Sequence, residues 1–169
     1  ISGPIQVCAG STTNITGSPA GGVWSSSTPA NGSITAGSGV LTGITGSTTT
    51  TITYTMPATG CYLTAPGTIN PLPASLTGVA TVCVGQTTTL SCTSPSGTWS
   101  SSASGTASVD AFGVVSGVSG GAGSATATIT YTLPTGCRTT RTVTVFALPG
   151  TISNPNLCPG TSATLSCTP

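Results

Sequence analysis

The sequence predicts an all-β protein built from tandem β-sandwiches, and two observations carry that prediction. The chain repeats itself with a period of 75 residues: Val7–Gly10 returns as Val82–Gly85 and again as Leu157–Gly160, each with Cys second and Gly last. Thr alternates with apolar residues along extended segments, with a period of two and no helical periodicity. A fixed period indicates an array of small domains, and this one suits a small β domain.

The clearest predicted strand runs from Ser124 to Leu133, with apolar residues on one face and Thr on the other. The segment from Thr51 to Met56 shows the same alternation in the first copy. About seven such short strands per copy, with turn signals every eight to twelve residues, indicate a β-sandwich. We therefore expect the inward residues to form the core: Trp24, Trp99, Tyr54, Tyr131, Ile52, Ile129 and Leu90.

The repeat defines the expected domains. Residues 1–74 and 75–150 each make one complete copy, and 151–169 begin a third, so the sequence reads as a window cut from a longer repetitive protein. Pro71–Pro73 and Leu148–Gly150 close the two copies as short, stiff linkers. We expect the copies to follow one another head to tail.

Composition excludes most chemistry. The chain has three charged residues, Asp110, Arg138 and Arg141, and no His. General acid–base catalysis, paired-carboxylate glycoside cleavage and Ca²⁺ sites all need groups that are missing here, and two Arg are not a nucleic-acid-binding patch. We predict no enzyme activity, no catalytic, cofactor-binding or metal-binding residues, no cofactor and no nucleic-acid partner. No apolar run is long enough to span a membrane within this window.

Low net charge favours self-association, because little repulsion keeps copies apart. The formal net charge is +1, and Ser and Thr make up over a third of the residues. The predicted partners are therefore other copies of this chain, in head-to-tail or lateral contact. A glycan or other surface ligand remains an alternative partner.

The seven cysteines predict disulfides outside the reducing cytosol. They sit at repeat-locked positions, and five of them form the expected framework: Cys8, Cys61, Cys83, Cys137 and Cys158. No His completes a mixed zinc site, and the spacing offers no cluster of four thiolates. Cys92 and Cys167 fall outside the framework, and Cys92 shares the inward face of Leu90, as expected for a buried thiol.

The repeated motif resembles a known family. Trp99-Ser100-Ser101, Val109, the Gly113–Gly117 segment and Ile129 follow the pattern of group 2 bacterial immunoglobulin-like domains, and the first copy repeats that pattern from Trp24. The form with a Val-Cys-x-Gly opening and a late Gly-Cys is similar to tandem repeats of very large surface proteins of gliding Gram-negative bacteria. The chain departs from the pattern by the insertion Gly120–Gly123. The resemblance implies an extracellular or cell-surface stalk, adhesin or fibre module, without implying a ligand.

Two disulfide arrangements remain open in an immunoglobulin-like sandwich. Cys83 would lie before the first tight turn, whereas Cys137 opens the last strand, eight residues or roughly 26 Å from Val145 at ~3.3 Å per residue. Bonded cysteines need Cα atoms within about 7 Å. This geometry slightly favours an interdomain Cys8–Cys137 bond. The rival arrangement pairs Cys8 with Cys61 and Cys83 with Cys137 within copies.

Two function classes follow. The first is a structural module of an extracellular repeat protein, forming a stiff, disulfide-stapled stalk or filament. The alternative is an adhesin module that binds a glycan or protein through its loops; the Gly, Ser and Pro of those loops favour structure. Trp24 and Trp99 are potential sugar-stacking platforms, although a core role is the simpler interpretation. The Thr ladders that include Thr51 and Thr128 are potential lateral contact surfaces or sites of O-linked sugars.

Overall fold

A computed structural model of the chain describes residues 1–150 and Ser162. The predicted third copy, 151–169, therefore lies outside the described residues apart from Ser162. The chain divides into two compact units. The first unit comprises Ile1–Pro73 together with Leu133–Arg138, and the second comprises Ala74–Thr132 with the described residues from Thr139 on. The segment Leu133–Arg138 belongs by sequence to the second repeat but by contacts to the first unit.

The first unit contains two sheets. Their strands are β1 (Gln6–Cys8), β2 (Thr12–Asn14), β3 (Val23–Ser26), β4 (Gly32–Ile34), β5 (Val40–Gly43), β6 (Thr48–Thr55) and β7 (Tyr62–Asn70). One sheet has the order β1-β7-β6-β3 and the other β2-β5-β4. β1 runs parallel to β7, with Cys8 opposite Asn70, and the remaining neighbours are antiparallel.

The second unit repeats this plan with one more paired strand. Its strands are β8 (Thr77–Gly78), β9 (Thr81–Cys83), β10 (Thr87–Ser91), β11 (Thr98–Ser101), β12 (Ala107–Val109), β13 (Val114–Gly117), β14 (Ser124–Thr132) and β15 (Arg138–Phe146). The sheets have the orders β12-β13-β10-β8 and β11-β14-β15-β9. β9 runs parallel to β15, with Cys83 opposite Phe146, as β1 does with β7. In the first unit an isolated bridge between Ser2 and Thr16 stands in place of the β8–β10 pair.

The alternation read from the sequence builds each core. Along β14 the apolar residues Ala127, Ile129 and Tyr131 are buried, and the intervening Thr side chains are half-buried or exposed. Ile52 and Tyr54 occupy the same positions on β6. The described residues form no helix, and each unit packs two sheets around one apolar cluster. The prediction of an all-β, immunoglobulin-like sandwich fold is confirmed.

Two residues expected inside, Trp99 and Met56, are only half-buried. Trp24 is buried, whereas Trp99 is half-buried and packs at the edge of its cluster. Met56, expected on the inward face of β6, follows the end of that strand and is half-buried. Among the described residues there is also no helix of the length and apolarity that membrane crossing requires.

Candidate functional site

The structure contains a disulfide between Cys8 and Cys137. Their Cα atoms lie 5.6 Å apart, although the residues are separated by 129 positions in sequence. Both cysteines belong to the first compact unit, since Leu133–Arg138 is part of it. The bond therefore joins the first sequence repeat covalently to a hairpin of the second.

The end of β1 and the turn that follows it hold Cys8. The Cys8 carbonyl accepts a hydrogen bond from the Ser11 amide at 3.0 Å, and Gly10 turns the chain with φ 76°. Such a φ strains any residue with a side chain, which explains the Gly two positions after the Cys. The Gly10 amide donates to the Gly43 carbonyl at 2.9 Å. These two hydrogen bonds fix the backbone of the turn that follows Cys8.

A tight hairpin between β14 and β15 presents Cys137. The Leu133 amide donates to the Cys137 carbonyl at 2.8 Å, and the Gly136 amide donates to the Leu133 carbonyl at 2.9 Å. Gly136 has φ 84°, the left-handed conformation that closes the turn. Cys137 is 1% exposed. Thr135 and Gly136 line a concave site with residues of β1 and β2, including Gln6, Thr12 and Thr13.

Cys83 occupies the same backbone setting in the second unit. The Gln86 amide donates to the Cys83 carbonyl at 3.0 Å, and Gly85 has φ 79° and donates to the Gly117 carbonyl at 2.9 Å. The Val84 amide bonds the Phe146 carbonyl at 3.0 Å, as the corresponding Ala9 amide bonds that of Asn70. The two cysteine turns are equivalent in their hydrogen bonds. The cysteines themselves differ, because Cys83 is exposed and has no sulfur partner in the described part of the chain.

Cys61 likewise occupies the hairpin position of the first repeat. The Met56 amide donates to the Cys61 carbonyl at 2.8 Å, and the Gly60 amide donates to the Met56 carbonyl at 2.8 Å, with φ 71° at Gly60. This hairpin is one residue longer than the one that carries Cys137. Cys61 is an exposed free cysteine. The rival pairs Cys8–Cys61 and Cys83–Cys137 are thus not the bonds present, and Cys158 lies outside the described residues.

Exposed apolar side chains lie beside the two exposed free cysteines, Cys83 and Cys61. Val79 and Phe146 line a concave surface beside Cys83, and Phe146 is 44% exposed. Tyr62 and Leu63 follow Cys61 and line the surface beside it, where Tyr62 is 67% exposed. These exposed residues were not predicted from the sequence. The period of two along β15 carried the signal, because inward Val143 and Val145 leave Phe146 pointing out.

Cys92 and the two tryptophans, which the sequence also indicated, pack against or hydrogen bond to other parts of the protein. Cys92 is half-buried, not fully buried, and its thiol donates to the Ala74 carbonyl at 3.4 Å. Trp24 is 5% exposed and its ring centroid lies 4.5 Å from that of Tyr54, so its faces are not open to a sugar. Trp99 and Tyr131 repeat the pair at 4.9 Å.

Two of the three charged residues, Arg141 and Asp110, hydrogen bond to the backbone. Arg141 is half-buried and donates from Nη1 to the Leu76 carbonyl at 2.6 Å. The Asp110 carboxylate accepts hydrogen bonds from two backbone amides in the turn between β12 and β13. No group of three or more potential metal ligands occurs among the described residues.

Comparison with known proteins gave structural similarities alone. No model of a protein family and no curated protein matches the chain. Among solved structures, the S-layer protein SbsC matches with 22% identity over 79% of this chain, at a TM-score of 0.31. A fragment of intimin in complex with the intimin-binding domain of its translocated receptor matches with 16% identity over 78%, at 0.42. Mouse cadherin-23 EC22-24 matches with 12% identity over 85%, at 0.32. The matches span 21% of the SbsC chain, 55% of the intimin chain and 62% of the cadherin-23 chain.

Proposed function

We propose that this chain is a structural module of an extracellular repeat protein, in which disulfides staple consecutive repeats into a stalk or filament. A single observation carries the proposal: Cys8 of the first repeat is bonded to Cys137 of the second. A bond within each repeat would stabilise separate domains. A bond between repeats adds a second covalent connection, parallel to the backbone linker.

This second connection suits a protein that bears tension or resists cleavage. Force applied at the two ends passes through the disulfide and bypasses the chain between the two cysteines. At ~3.4 Å per extended residue, the chain between the two cysteines has an extended length of about 440 Å, and the bond prevents it from being pulled out. A cut in the linker between the repeats leaves the two pieces joined.

Cysteine usage and composition support an extracellular setting. Disulfides persist in oxidising compartments and are rare in the cytosol. Charged residues make up 2% of the chain, so little repulsion opposes close contact between copies. These properties agree with an extracellular protein whose copies associate with one another.

Cleavage at the single acidic residue tests the staple. The oxidised chain is unfolded in urea with its free thiols alkylated, then digested with an endoproteinase that cuts on the amino side of Asp. Cleavage before Asp110 places Cys8 in fragment 1–109 and Cys137 in fragment 110–169. The fragments should migrate together on a non-reducing gel and separate after reduction.

Matched cysteine variants make the result specific. Cys8→Ala should release the fragments without reductant, whereas Cys83→Ala should leave them joined. If Cys83→Ala releases them and Cys8→Ala does not, the bond lies within the second repeat. In that outcome no disulfide would join the two repeats, and they would be independent domains connected only by the backbone.

One observation favours the adhesive alternative. Phe112 lies in the turn between β12 and β13 and is 84% exposed, the kind of projecting aromatic that binds a sugar or a protein surface. Binding of the oxidised chain to a glycan array, lost in Phe112→Ser, would support adhesion. Equal binding by both proteins would exclude Phe112 as the contact.

A further inference from the structure

We infer that the concave site beside the Cys8–Cys137 bond, here called the Asn70 site, binds one sugar residue of a neutral glycan through the Asn70 carboxamide. The site lies within the first compact unit and has a volume of about 260 Å³. Residues of β1, β2 and the end of β7 line it, and the hairpin that carries Cys137 adds Thr135 and Gly136. The inference goes beyond the proposed function, because a staple needs no ligand.

Asn70 is the buried polar side chain of this site. It is 9% exposed, and Thr50 is the other buried polar residue in the described part of the chain. The Thr50 hydroxyl bonds that of Ser26 at 2.7 Å, whereas the Asn70 carboxamide makes no hydrogen bond to a described residue. Every side-chain N or O atom that is sealed from solvent has a partner among those residues. The unpaired carboxamide atoms therefore reach the concave site, where a ligand or water must satisfy them.

The rim of the Asn70 site adds hydrogen-bonding groups that the fold leaves unused. Ser11, Thr12, Thr13 and Thr135 contribute hydroxyls, and Gln6 contributes a second carboxamide. None of these side chains hydrogen bonds to another described residue. A carboxamide both donates and accepts, as does a hydroxyl, so the site can pair with neighbouring hydroxyls on one ring. A sugar presents that pattern of groups.

The absence of charge disfavours ionic ligands in the Asn70 site. No charged side chain is among the described residues that line it. A phosphate or carboxylate bound there would be taken out of water without a countercharge, which is strongly unfavourable. A neutral ligand meets no such penalty. The chemistry of the lining thus selects an uncharged, hydroxyl-rich molecule.

Size and strand length favour a sugar over an extended peptide. A peptide that binds by strand addition needs an open sheet edge along which to pair. β1 and β2 stand at the edges of their sheets, but each is three residues long, and very short edge strands resist such pairing. The volume also falls below the ~300–1,000 Å³ of sites for drug-sized ligands. The Asn70 site therefore suits a single ring.

NMR titration of the oxidised, ¹⁵N-labelled chain tests the site. The chain has five Asn and two Gln, so its side-chain amide signals are few enough to assign. The probes are the methyl glycosides of glucose, galactose, mannose and N-acetylglucosamine. Mannitol, which has hydroxyls without a ring, controls for general effects of polyols, and N-acetyl-triglycine amide represents a peptide.

The expected result is a saturable shift of the Asn70 side-chain amide with at least one glycoside. A ring-sized ligand should give a dissociation constant on the order of 1 mM, and mannitol and the peptide should give no saturable shift. The absence of a saturable shift with every glycoside, or an equal shift with mannitol, would overturn the proposal and leave water as the partner of Asn70. A saturable shift with the peptide alone would overturn it in favour of a protein partner.

Matched variants identify the group responsible, with the Gln6 side-chain amide as the readout. Asn70→Ala should weaken binding about tenfold or more, and Thr135→Ala about twofold or more, because each removes hydrogen bonds to the ligand. Asn14→Ala is the control, since Asn14 is exposed on β2 and does not line the site, so affinity should not change. Full affinity in Asn70→Ala, or equal losses in Asn70→Ala and Asn14→Ala, would refute the assignment.

Loss of sugar binding can be separated from loss of the staple. Asn70→Ala and Thr135→Ala remove groups that the fold does not use, so both variants should fold. The cleavage assay at Asp110 verifies the Cys8–Cys137 bond in each of them before titration. If the parent chain has that bond intact and binds no glycoside, the proposed staple stands and the sugar site is wrong.

Discussion

The hydroxyl of Tyr131 accepts a hydrogen bond from the Gly97 amide at 2.8 Å, and its ring lies where a side chain on Gly97 would project. The same hydroxyl donates to the Ser94 carbonyl at 2.7 Å. In the first unit Tyr54 makes the equivalent bonds, accepting from Gly22 and donating to the Pro19 carbonyl. In both units a core tyrosine thus hydrogen bonds to the loop that precedes the strand with the tryptophan, β3 or β11.

Gly97→Ala should destabilise the second unit. A Cβ at this position would overlap the Tyr131 ring, which hydrogen bonds at both sides of its hydroxyl prevent from moving away. We expect a loss of about 1–3 kcal/mol, the usual cost of overpacking. Urea unfolding measures it, with Gly105→Ala as the control because a Cβ there meets nothing within 4 Å. Equal midpoints for the two variants would contradict this packing.

Tyr131→Phe should cost about 1–3 kcal/mol, because it leaves the Gly97 amide and the Ser94 carbonyl without their partner. Ring packing against Trp99 is retained, so the fold should survive. Tyr62→Phe is the matched control, since that side chain is 67% exposed. Guanidinium unfolding of both variants decides the point: a Tyr131→Phe midpoint no lower than that of Tyr62→Phe would mean that the hydroxyl contributes nothing.

The sequence was sufficient for the fold class because alternation is a local signal. Each face of β6 and β14 is encoded by neighbouring residues, so their inward and outward sides could be predicted without knowing the partners. Burial of the two tryptophans was less predictable. Trp24 and Trp99 share one motif and lie on equivalent strands, but only Trp24 is buried, so the local pattern does not determine their exposure.

The candidate site could be predicted only in part, because its contacts join residues that are far apart in the sequence. Repetition identified the cysteine positions, whereas pairing depends on which strand ends meet in space. The contact between Arg141 and the Leu76 carbonyl spans 65 positions and carries no local pattern. The exposed surface beside Cys83 also combines β9 with β15, which are far apart in the chain.

Asp110→Ala should loosen the turn between β12 and β13. The carboxylate Oδ1 accepts from the Phe112 amide at 2.8 Å and from the Val114 amide at 2.9 Å. We expect a loss of about 1 kcal/mol, below the usual range for bonds to a charged group because the turn is exposed. Asp110→Asn keeps an accepting oxygen and should lose about half as much. Thermal unfolding that ranks Asn below Ala would contradict the assignment.

Arg141→Ala should destabilise the second unit by about 1–2 kcal/mol, because the carbonyl of buried Leu76 loses a charged hydrogen-bond donor. Arg138→Ala provides the control, since Arg138 is exposed at the start of β15. Amide hydrogen exchange around Leu76 gives a local readout. Faster exchange there in Arg141→Ala and not in Arg138→Ala is expected; the reverse order would refute the contact.

Removing the staple should lower stability more than any of these changes. In the chain-entropy description, a closed loop of more than 100 residues stabilises by roughly 4–5 kcal/mol, although measured values for native bonds run from about 2. The double variant Cys8→Ala/Cys137→Ala should therefore melt well below the parent and should no longer respond to reductant. Cys61→Ala/Cys83→Ala removes two exposed free thiols and should match the parent in both respects. Thermal unfolding with and without reductant compares all three chains. If reductant lowered the melting temperature of the Cys8→Ala/Cys137→Ala chain as much as that of the parent, the stabilising bond would have to lie elsewhere.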